Sequence, residues 1–393
     1  LDGSGDKKIS TTMTFVRLMT DLIKDKNIGD RIVPIVPDEA RTFGMEALFR
    51  QIGIYSSEGQ KYQPEDADQV MWYKESKEGV MLEEGITEAG AFSAWLALAT
   101  SYANYNLPMI PIYLFYSMFG FQRIHDLAWA AGDSRARGFL LGATSGRTTL
   151  NGEGLQHQDG HSHILAGTIP NCKSYDPCFS YEVATIVKEG IRDMYELNND
   201  NYYYLTLMNE NYSHIEMPEG VTDEMIMKGG YLFSSHQNPN LRILASGLTL
   251  NFAIEAKDIL GKYDVNIDIW SITSFNELYR GGIKAERQRR LKQTKTKSYV
   301  ESCFDKEMPT IAVSEYQRNY SNQIREWVNG KFVALGTDGY GRSDTRENLR
   351  DFFEISAKHL AFNALMLVGK TKDAKDFLKK NNIDTVMEAP WER

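Results

Sequence analysis

Short runs of β-branched and aromatic residues alternate along this chain with longer segments of helical type, and this alternation restricts the possible folds most. Strands that are separated by helices must cross over and run parallel, so the pattern predicts an α/β domain with a mainly parallel sheet. The predicted strands of the first half are residues 31–38, 109–117, 139–145 and 201–209, and its predicted helices are 13–24, 92–105, 122–133 and 181–197.

The pattern stops and then resumes, which indicates a second and smaller α/β domain. Segment 210–230 has no strong periodicity and is interpreted as a linker. Beyond it, strands are predicted at 241–247, 265–272, 310–315 and 332–337, and helices at 251–263 and 356–369. A chain of 393 residues has room for two domains of about 100–200 residues each. We therefore expect domains over residues 1–220 and 221–393.

Composition excludes several classes of partner. The net charge of −9 gives no overall attraction for nucleic acid or for an anionic membrane. The longest apolar stretch, 109–121, is shorter than the ~20 residues of a membrane helix. The three cysteines form no CxxC pair, which fits a reducing cytoplasm. We expect a cytoplasmic protein, and we interpret the basic run 284–297 as a solvated surface segment.

Chemistry is most strongly indicated in a loop over residues 145–163, which is rich in glycine and histidine. It holds His157, His161 and His163 in an H-x3-H-x-H spacing, which could supply three imidazoles to zinc. Two other interpretations remain open at this point. The histidines could stabilise the loop through hydrogen bonds, or they could transfer protons and bind substrate.

Three candidate segments follow predicted strands of the first sheet. Asp38 and Glu39 follow the first, Tyr116 and Phe119 the second, and the glycine/histidine loop the third. Ligands of open parallel sheets bind beyond the carboxyl ends of the strands, so we expect these segments to converge. From spacing alone, however, a place in the core is the better interpretation of the two aromatic residues.

Glu88 stands just before an apolar helix, where two opposed effects act on a carboxylate. The helix N-terminus favours its charge, whereas burial would disfavour it. A plain surface glutamate in the first helical turn is the alternative. The chain contains no G-x-S-x-G elbow and no phosphate-binding GxxxxGK[ST] loop. A serine hydrolase and a P-loop nucleotidase are therefore disfavoured.

Four long segments carry a resemblance to a known family: residues 33–55, 107–163, 168–177 and 335–350. Together they resemble the homodimeric type of pyruvate dehydrogenase, the thiamine-diphosphate-dependent decarboxylating component of the bacterial complex. The resemblance implies two transketolase-like α/β domains. Residues 1–220 would form the middle, pyrimidine-binding domain, and residues 221–393 the smaller C-terminal domain.

The resemblance also implies roles for residues at the cofactor. Glu88 matches the family glutamate that hydrogen-bonds a ring nitrogen of the aminopyrimidine, and Phe119 matches an aromatic ring that packs on the aminopyrimidine. The family holds Mg²⁺ through a GDG motif, which this chain lacks. We therefore expect no metal ligands here and expect the Mg²⁺ ligands on a missing N-terminal domain.

Further roles implied by the resemblance concern substrate. Tyr116 and His157 match residues that face the substrate adduct, and His157 is the candidate acid for acyl transfer. Asp38 and Glu39 match acidic residues that line the same cavity, and Glu153 matches a nearby loop carboxylate. His161 and His163 lie in the matched loop but receive no individual roles.

The implied partners are pyruvate, the lipoyl domain of the dihydrolipoyl acetyltransferase and a second copy of the subunit. With half of the cofactor site absent, we expect the isolated chain to be inactive. Two alternatives remain open beside the zinc hydrolase. The chain could be a separate short subunit of a two-chain 2-oxo acid dehydrogenase, or a non-catalytic module for dimerisation and assembly.

Overall fold

The computed structural model describes residues 3–37, 40–63, 65 and 73–392. Its strands are β1 (Lys8–Ile9), β2 (Ile32–Val36), β3 (Ile54–Tyr55), β4 (Glu75–Ser76), β5 (Leu82–Glu83), β6 (Ile110–Tyr116), β7 (Phe139–Ala143), β8 (Cys172–Tyr175), β9 (Tyr202–Thr206), β10 (Tyr212–Ser213), β11 (Tyr231–Ser234), β12 (Leu241–Ala245), β13 (Ile267–Ser271), β14 (Thr310–Val313) and β15 (Phe332–Leu335).

The helices over the same residues are α1 (Thr11–Ile23), α2 (Glu46–Gln51), α3 (Glu88–Ala99), α4 (Ser101–Tyr105), α5 (Gly120–Asp133), α6 (Ser162–Gly167), α7 (Ser180–Ile191), α8 (Asp223–Met227), α9 (Thr249–Gly261), α10 (Phe275–Lys292), α11 (Tyr299–Cys303), α12 (Arg318–Asn322), α13 (Arg346–Phe352), α14 (Ala357–Leu367) and α15 (Thr371–Lys380). Short 3₁₀ turns lie at Gly29–Arg31, Leu155–His157 and Arg325–Trp327, and a π turn at Arg192–Glu196.

The first half forms a six-stranded sheet in the order β5-β2-β6-β7-β9-β8, and its strands are parallel. Every residue of β2, β6, β7 and β9 is buried. Helices cover both faces of such a sheet, which is why its strands are apolar without alternation. The predicted parallel α/β sheet is confirmed.

The second half forms a smaller, five-stranded sheet in the order β11-β13-β12-β14-β15. Four strands are parallel, and β11 joins the edge antiparallel to β13. The predicted architecture of two α/β units is therefore confirmed. The exact division at residue 220 stays a prediction, because nothing in the fold isolates that position.

Two segments are more ordered than the sequence suggests. Within 210–230, interpreted as a linker, β10 pairs with β1 near the start of the chain, and α8 follows. Short elements of this kind leave little periodicity, so pattern reasoning misses them. Most of the basic run 284–297 belongs to the end of α10. Basic side chains stabilise the C-terminus of a helix because they interact favourably with the helix dipole.

Across the described part of the chain, no helix is both long and apolar enough to cross a membrane.

Candidate active site

A cavity of about 210 Å³ opens at the carboxyl ends of β2 and β6. Four residues that the sequence singled out meet there, although up to 69 positions separate them along the chain: Glu88, Tyr116, Phe119 and His157. Among the described residues, the lining consists of Pro37, Ile86, Glu88, Tyr116, Phe119, Arg123 and His157. The cavity is smaller than the ~300–1,000 Å³ of a typical ligand pocket, so it can enclose only part of a cofactor-sized molecule.

Glu88 is the first residue of α3 and is 8% exposed. The Thr87 hydroxyl caps this helix by accepting a hydrogen bond from the Gly90 amide at 3.3 Å. The cap fixes the first turn, and the helix N-terminus favours the negative charge of Glu88. The surface-glutamate interpretation is wrong, because the carboxylate faces the cavity.

Arg123 is the charged residue of the lining that sequence reasoning missed. Its guanidinium donates a hydrogen bond to Glu88 Oε1 at 2.6 Å and lies 4.1 Å from the centroid of the Phe119 ring. A usable signal exists, since Arg123 follows Phe119 by four residues at the start of α5 and so shares its face. Arg123 engages one carboxylate oxygen and leaves the other for a ligand.

His157 lies at the end of a 3₁₀ turn, with its ring centroid 4.9 Å from that of Tyr116 and 5.2 Å from that of Phe119. Its Nδ1 atom is buried and has no hydrogen-bond partner among the described residues. A buried polar atom without a partner is costly, and ligand binding is one common compensation. A carboxylate oxygen, Glu153 Oε2, is 3.8 Å from Nδ1, beyond hydrogen-bonding distance.

The remaining acidic candidates are placed less directly. Glu153 lies beside His157 but does not line the cavity. The prediction for Asp38 and Glu39 falls outside the described residues. Pro37, the residue before them, lines the cavity at the end of β2.

The other two histidines of the loop lie apart from the site. His163 is completely buried, stacks on Tyr320 at 4.8 Å and shares a 2.8 Å hydrogen bond between Nε2 and Thr206 Oγ1. His161 is the residue immediately before α6 and does not line the cavity. Within the described ranges, no group of three His, Cys, Asp or Glu side chains could hold a metal ion. The H-x3-H-x-H spacing therefore does not form a zinc site.

Burial makes His163 a source of pH-dependent stability. Desolvation lowers the pKa of His163 to about 3, against a small opposing effect of the Asp159 charge. Below pH 6.5, His163 binds a proton in the unfolded chain but stays neutral in the folded chain. The free energy of unfolding therefore falls as the pH falls toward 3. The expected loss is about 2 kcal/mol between pH 6.5 and 5.

Urea unfolding at several pH values tests this expectation. The His163→Phe variant keeps a ring against Tyr320 and should lose this part of the pH slope, whatever its absolute stability. His236 is exposed, so the His236→Gln variant is the matched control and should keep the slope. An unchanged slope in His163→Phe would contradict the assignment.

A larger cavity of about 680 Å³ lies between α1 and α7, away from these residues. Its wall includes Leu18, Leu22 and Ile28, and charged residues on it pair with one another, as Arg192 does with Glu189 at 3.2 Å. Size alone would favour this groove. We place the site at the smaller cavity because a helix-terminal carboxylate and an unpaired imidazole converge there.

Solved structures that share this fold include transketolases. The transketolase of Campylobacter jejuni matches with a TM-score of 0.68 at 16% identity, over 91% of this chain and 47% of that one. The transketolase of Leishmania mexicana matches with a TM-score of 0.69 at 15% identity, over 93% of this chain and 46% of that one. These likenesses establish the fold class, which is transketolase-like α/β.

Family models narrow the class. Residues 1–215 match the pyruvate dehydrogenase E1 component middle domain, and residues 229–356 match the transketolase-like C-terminal domain. The chain therefore belongs to the pyruvate dehydrogenase E1 component family, which confirms the resemblance found in the sequence.

Curated relatives named pyruvate dehydrogenase E1 component agree with this membership. The relative from Pseudomonas aeruginosa is 57% identical over 373 residues, which cover 93% of this chain and 42% of the relative. The relative from Escherichia coli K12 is 51% identical over 390 residues, which cover 96% of this chain and 44% of the relative. The chain thus spans less than half the length of these relatives.

Proposed function

We propose that this chain forms part of a thiamine-diphosphate-dependent enzyme that decarboxylates pyruvate and reductively acetylates a lipoyl group, whose disulfide accepts both the acetyl group and the two electrons. The observation that carries the proposal is the convergence of Glu88, Tyr116, Phe119 and His157 on one cavity at the sheet's carboxyl edge. The relatives are named pyruvate dehydrogenase E1 component, which supports pyruvate as the substrate.

The residues of the cavity fit the aminopyrimidine part of the cofactor. Phe119 offers a ring for packing, and Glu88 offers a carboxyl group that is fixed by its helix and by Arg123. When bound, thiamine diphosphate supplies the electron sink that decarboxylation of a 2-oxo acid needs. Glu88 would exchange a proton with a ring nitrogen, which is the role of a positioned general acid–base group.

On the substrate side, Tyr116 and His157 would face the bound 2-oxo acid. The unpaired Nδ1 of His157 is available to a ligand, and imidazole can donate a proton near neutral pH. We assign His157 as the acid for acetyl transfer to the lipoyl group of the dihydrolipoyl acetyltransferase. Glu153, at 3.8 Å from Nδ1, would stabilise the protonated ring.

The proposal places the diphosphate and Mg²⁺ ligands outside this chain. The cavity of about 210 Å³ can enclose only part of a cofactor-sized molecule, which supports that placement. The second half of the site would come from another domain, supplied by a partner copy in a homodimer.

Pyruvate-dependent release of carbon dioxide tests the proposal. The protein as its gene encodes it should release carbon dioxide when thiamine diphosphate, Mg²⁺ and pyruvate are present. Residues 1–393 alone should show no turnover under the same conditions. Turnover by the isolated chain would contradict the incomplete site, and no turnover by the natural protein would favour the assembly module. A native mass that matches a two-chain enzyme would favour the separate subunit.

A further inference from the structure

The loop that carries His157 is attached to the second α/β unit, and this attachment has a role that the proposed function does not include. We propose that residues 336–346, named here the clamp segment, hold the 3₁₀ turn of His157 in place, and that Gln158 is the positioning residue through which they act. The clamp segment follows β15 and leads into α13. The inference rests on the proposed function, since it assigns His157 a position that matters for catalysis.

Gln158 is the central contact. Its side chain is fully buried, and its Oε1 accepts a hydrogen bond of 2.7 Å from the Arg342 amide in the clamp segment. Its Nε2 donates a hydrogen bond of 3.0 Å to the Leu150 carbonyl on the far side of the loop. One amide group therefore joins both sides of the loop to the second unit, directly beside His157.

A close contact between the backbones of Gly341 and Leu155 also supports the turn of His157. A Cβ atom on Gly341 would lie 2.5 Å from the Leu155 carbonyl oxygen and 2.9 Å from Gln158 Oε1. Only glycine permits this approach, because a 2.5 Å distance to a backbone atom cannot be relieved by a side-chain rotation. Ser343 adds a hydrogen bond of 2.8 Å from its hydroxyl to the Glu153 carbonyl.

The start of the loop is fixed to the second unit independently. The amides of Arg147 and Thr148 donate hydrogen bonds of 2.9 and 2.7 Å to the buried carboxylate of Glu315, just after β14. The Arg147 guanidinium donates to the carbonyls of Thr337 and Gly339 in the clamp segment. The loop is thus held at its base and at the His157 turn, both times by the second unit.

This arrangement explains why a glycine-rich loop can carry a reacting group. Glycine costs backbone entropy and permits several conformations, so the loop needs external contacts to hold one of them. A misplacement of about 1 Å in a catalytic group can lower a rate by ~10²-fold. The clamp segment supplies the contacts that prevent such a misplacement, without touching the cavity.

The decisive variants are Gln158→Met and Gly341→Ala in the protein as its gene encodes it. Gln158→Met removes the hydrogen bonds to Leu150 and Arg342 at nearly constant side-chain volume. Gly341→Ala adds a methyl group that displaces the turn of His157. Both should lower kcat for lipoyl acetylation by about 10–100-fold. The KM for pyruvate should stay within about twofold. Amide hydrogen exchange in a peptide over residues 150–160 should become faster in both.

Two comparisons separate positioning from a general loss of stability. Thr310 is buried in β14, and its hydroxyl donates to the Met308 carbonyl at 3.1 Å, so Thr310→Val removes a buried hydrogen bond of the second unit away from the loop. This control should keep both kcat and exchange. In Gln158→Glu, a protonated carboxyl can again donate to Leu150, so kcat relative to the unaltered protein should rise as the pH falls.

Each outcome is decisive. Unchanged exchange in residues 150–160 for Gln158→Met and Gly341→Ala would overturn the clamp. Faster exchange with an unchanged kcat would show that the held position does not matter for catalysis, and would also overturn it. If the unaltered protein does not turn over pyruvate, the proposed function fails, whereas the exchange comparison still decides whether the clamp segment orders the loop.

Discussion

Replacing Glu88 by glutamine is expected to lower pyruvate decarboxylation by about 10²–10⁴-fold, the range that a positioned acid–base group contributes. The amide keeps the size and the position of the carboxyl group at the start of α3 but cannot exchange a proton with a ring nitrogen. The amide oxygen can still accept the hydrogen bond that Arg123 donates, and the Arg123 side chain is 49% exposed and can also be solvated. No buried group is left without a partner, so the melting temperature should change little.

Carbon dioxide release at saturating thiamine diphosphate measures the Glu88→Gln effect. Glu84→Gln is the matched control, because Glu84 precedes the same helix but is exposed and does not line the cavity. The control should keep its rate within about twofold, as expected of surface substitutions away from special features. A Glu88→Gln variant with a near-normal rate would exclude the carboxyl group from proton exchange and would move the site elsewhere.

The second large effect is expected for His157→Ala. Removing the imidazole deletes the acid assigned to acetyl transfer, so lipoyl acetylation should fall by about 10²–10⁴-fold. Carbon dioxide release should fall less when an artificial electron acceptor replaces the lipoyl group, because that assay does not need acetyl transfer to the lipoyl group. The ring lies against Tyr116 and Phe119 at the cavity, not in the core, so the fold should tolerate its loss.

Parallel assays of the two reactions test the His157 assignment. His161→Ala is the matched control from the same loop, because His161 lies apart from the cavity lining and precedes α6. It should keep most of the lipoyl acetylation. If His157→Ala acetylates the lipoyl group at the normal rate, the assignment of His157 as the acid is wrong, although the cavity could still bind cofactor.

Much of the fold follows from local patterns in the sequence. The apolar strands β6 and β7 and the helix α1 appear within two residues of their predicted positions. Burial on both faces gives the two strands continuous apolar sequences, which are easy to recognise. The short elements β10 and α8 were interpreted as linker. They consist of a few residues each and depend on distant partners, so no periodicity reveals them.

The candidate site was only partly predictable. Glu88, Tyr116, Phe119 and His157 stand at strand ends or at the start of a helix, and the family resemblance implied their roles. The structure brings them to one cavity. The same reasoning could not separate His157 from His163, which share one loop and differ in burial. Burial depends on Tyr316 and Tyr320, more than 150 residues further along the chain.

The sequence by itself determined the alternation of strands and helices, the family, and the residues that stand at strand ends. These properties are local, since each is decided by neighbours within a few residues. The tertiary structure alone decided which side chains meet. Arg123 pairs with Glu88 across 35 positions, and Gln158 joins Arg342 across 184. Contacts over such distances arise from how helices and loops pack on each sheet and how the two units meet, and no pattern within a window of sequence specifies that packing.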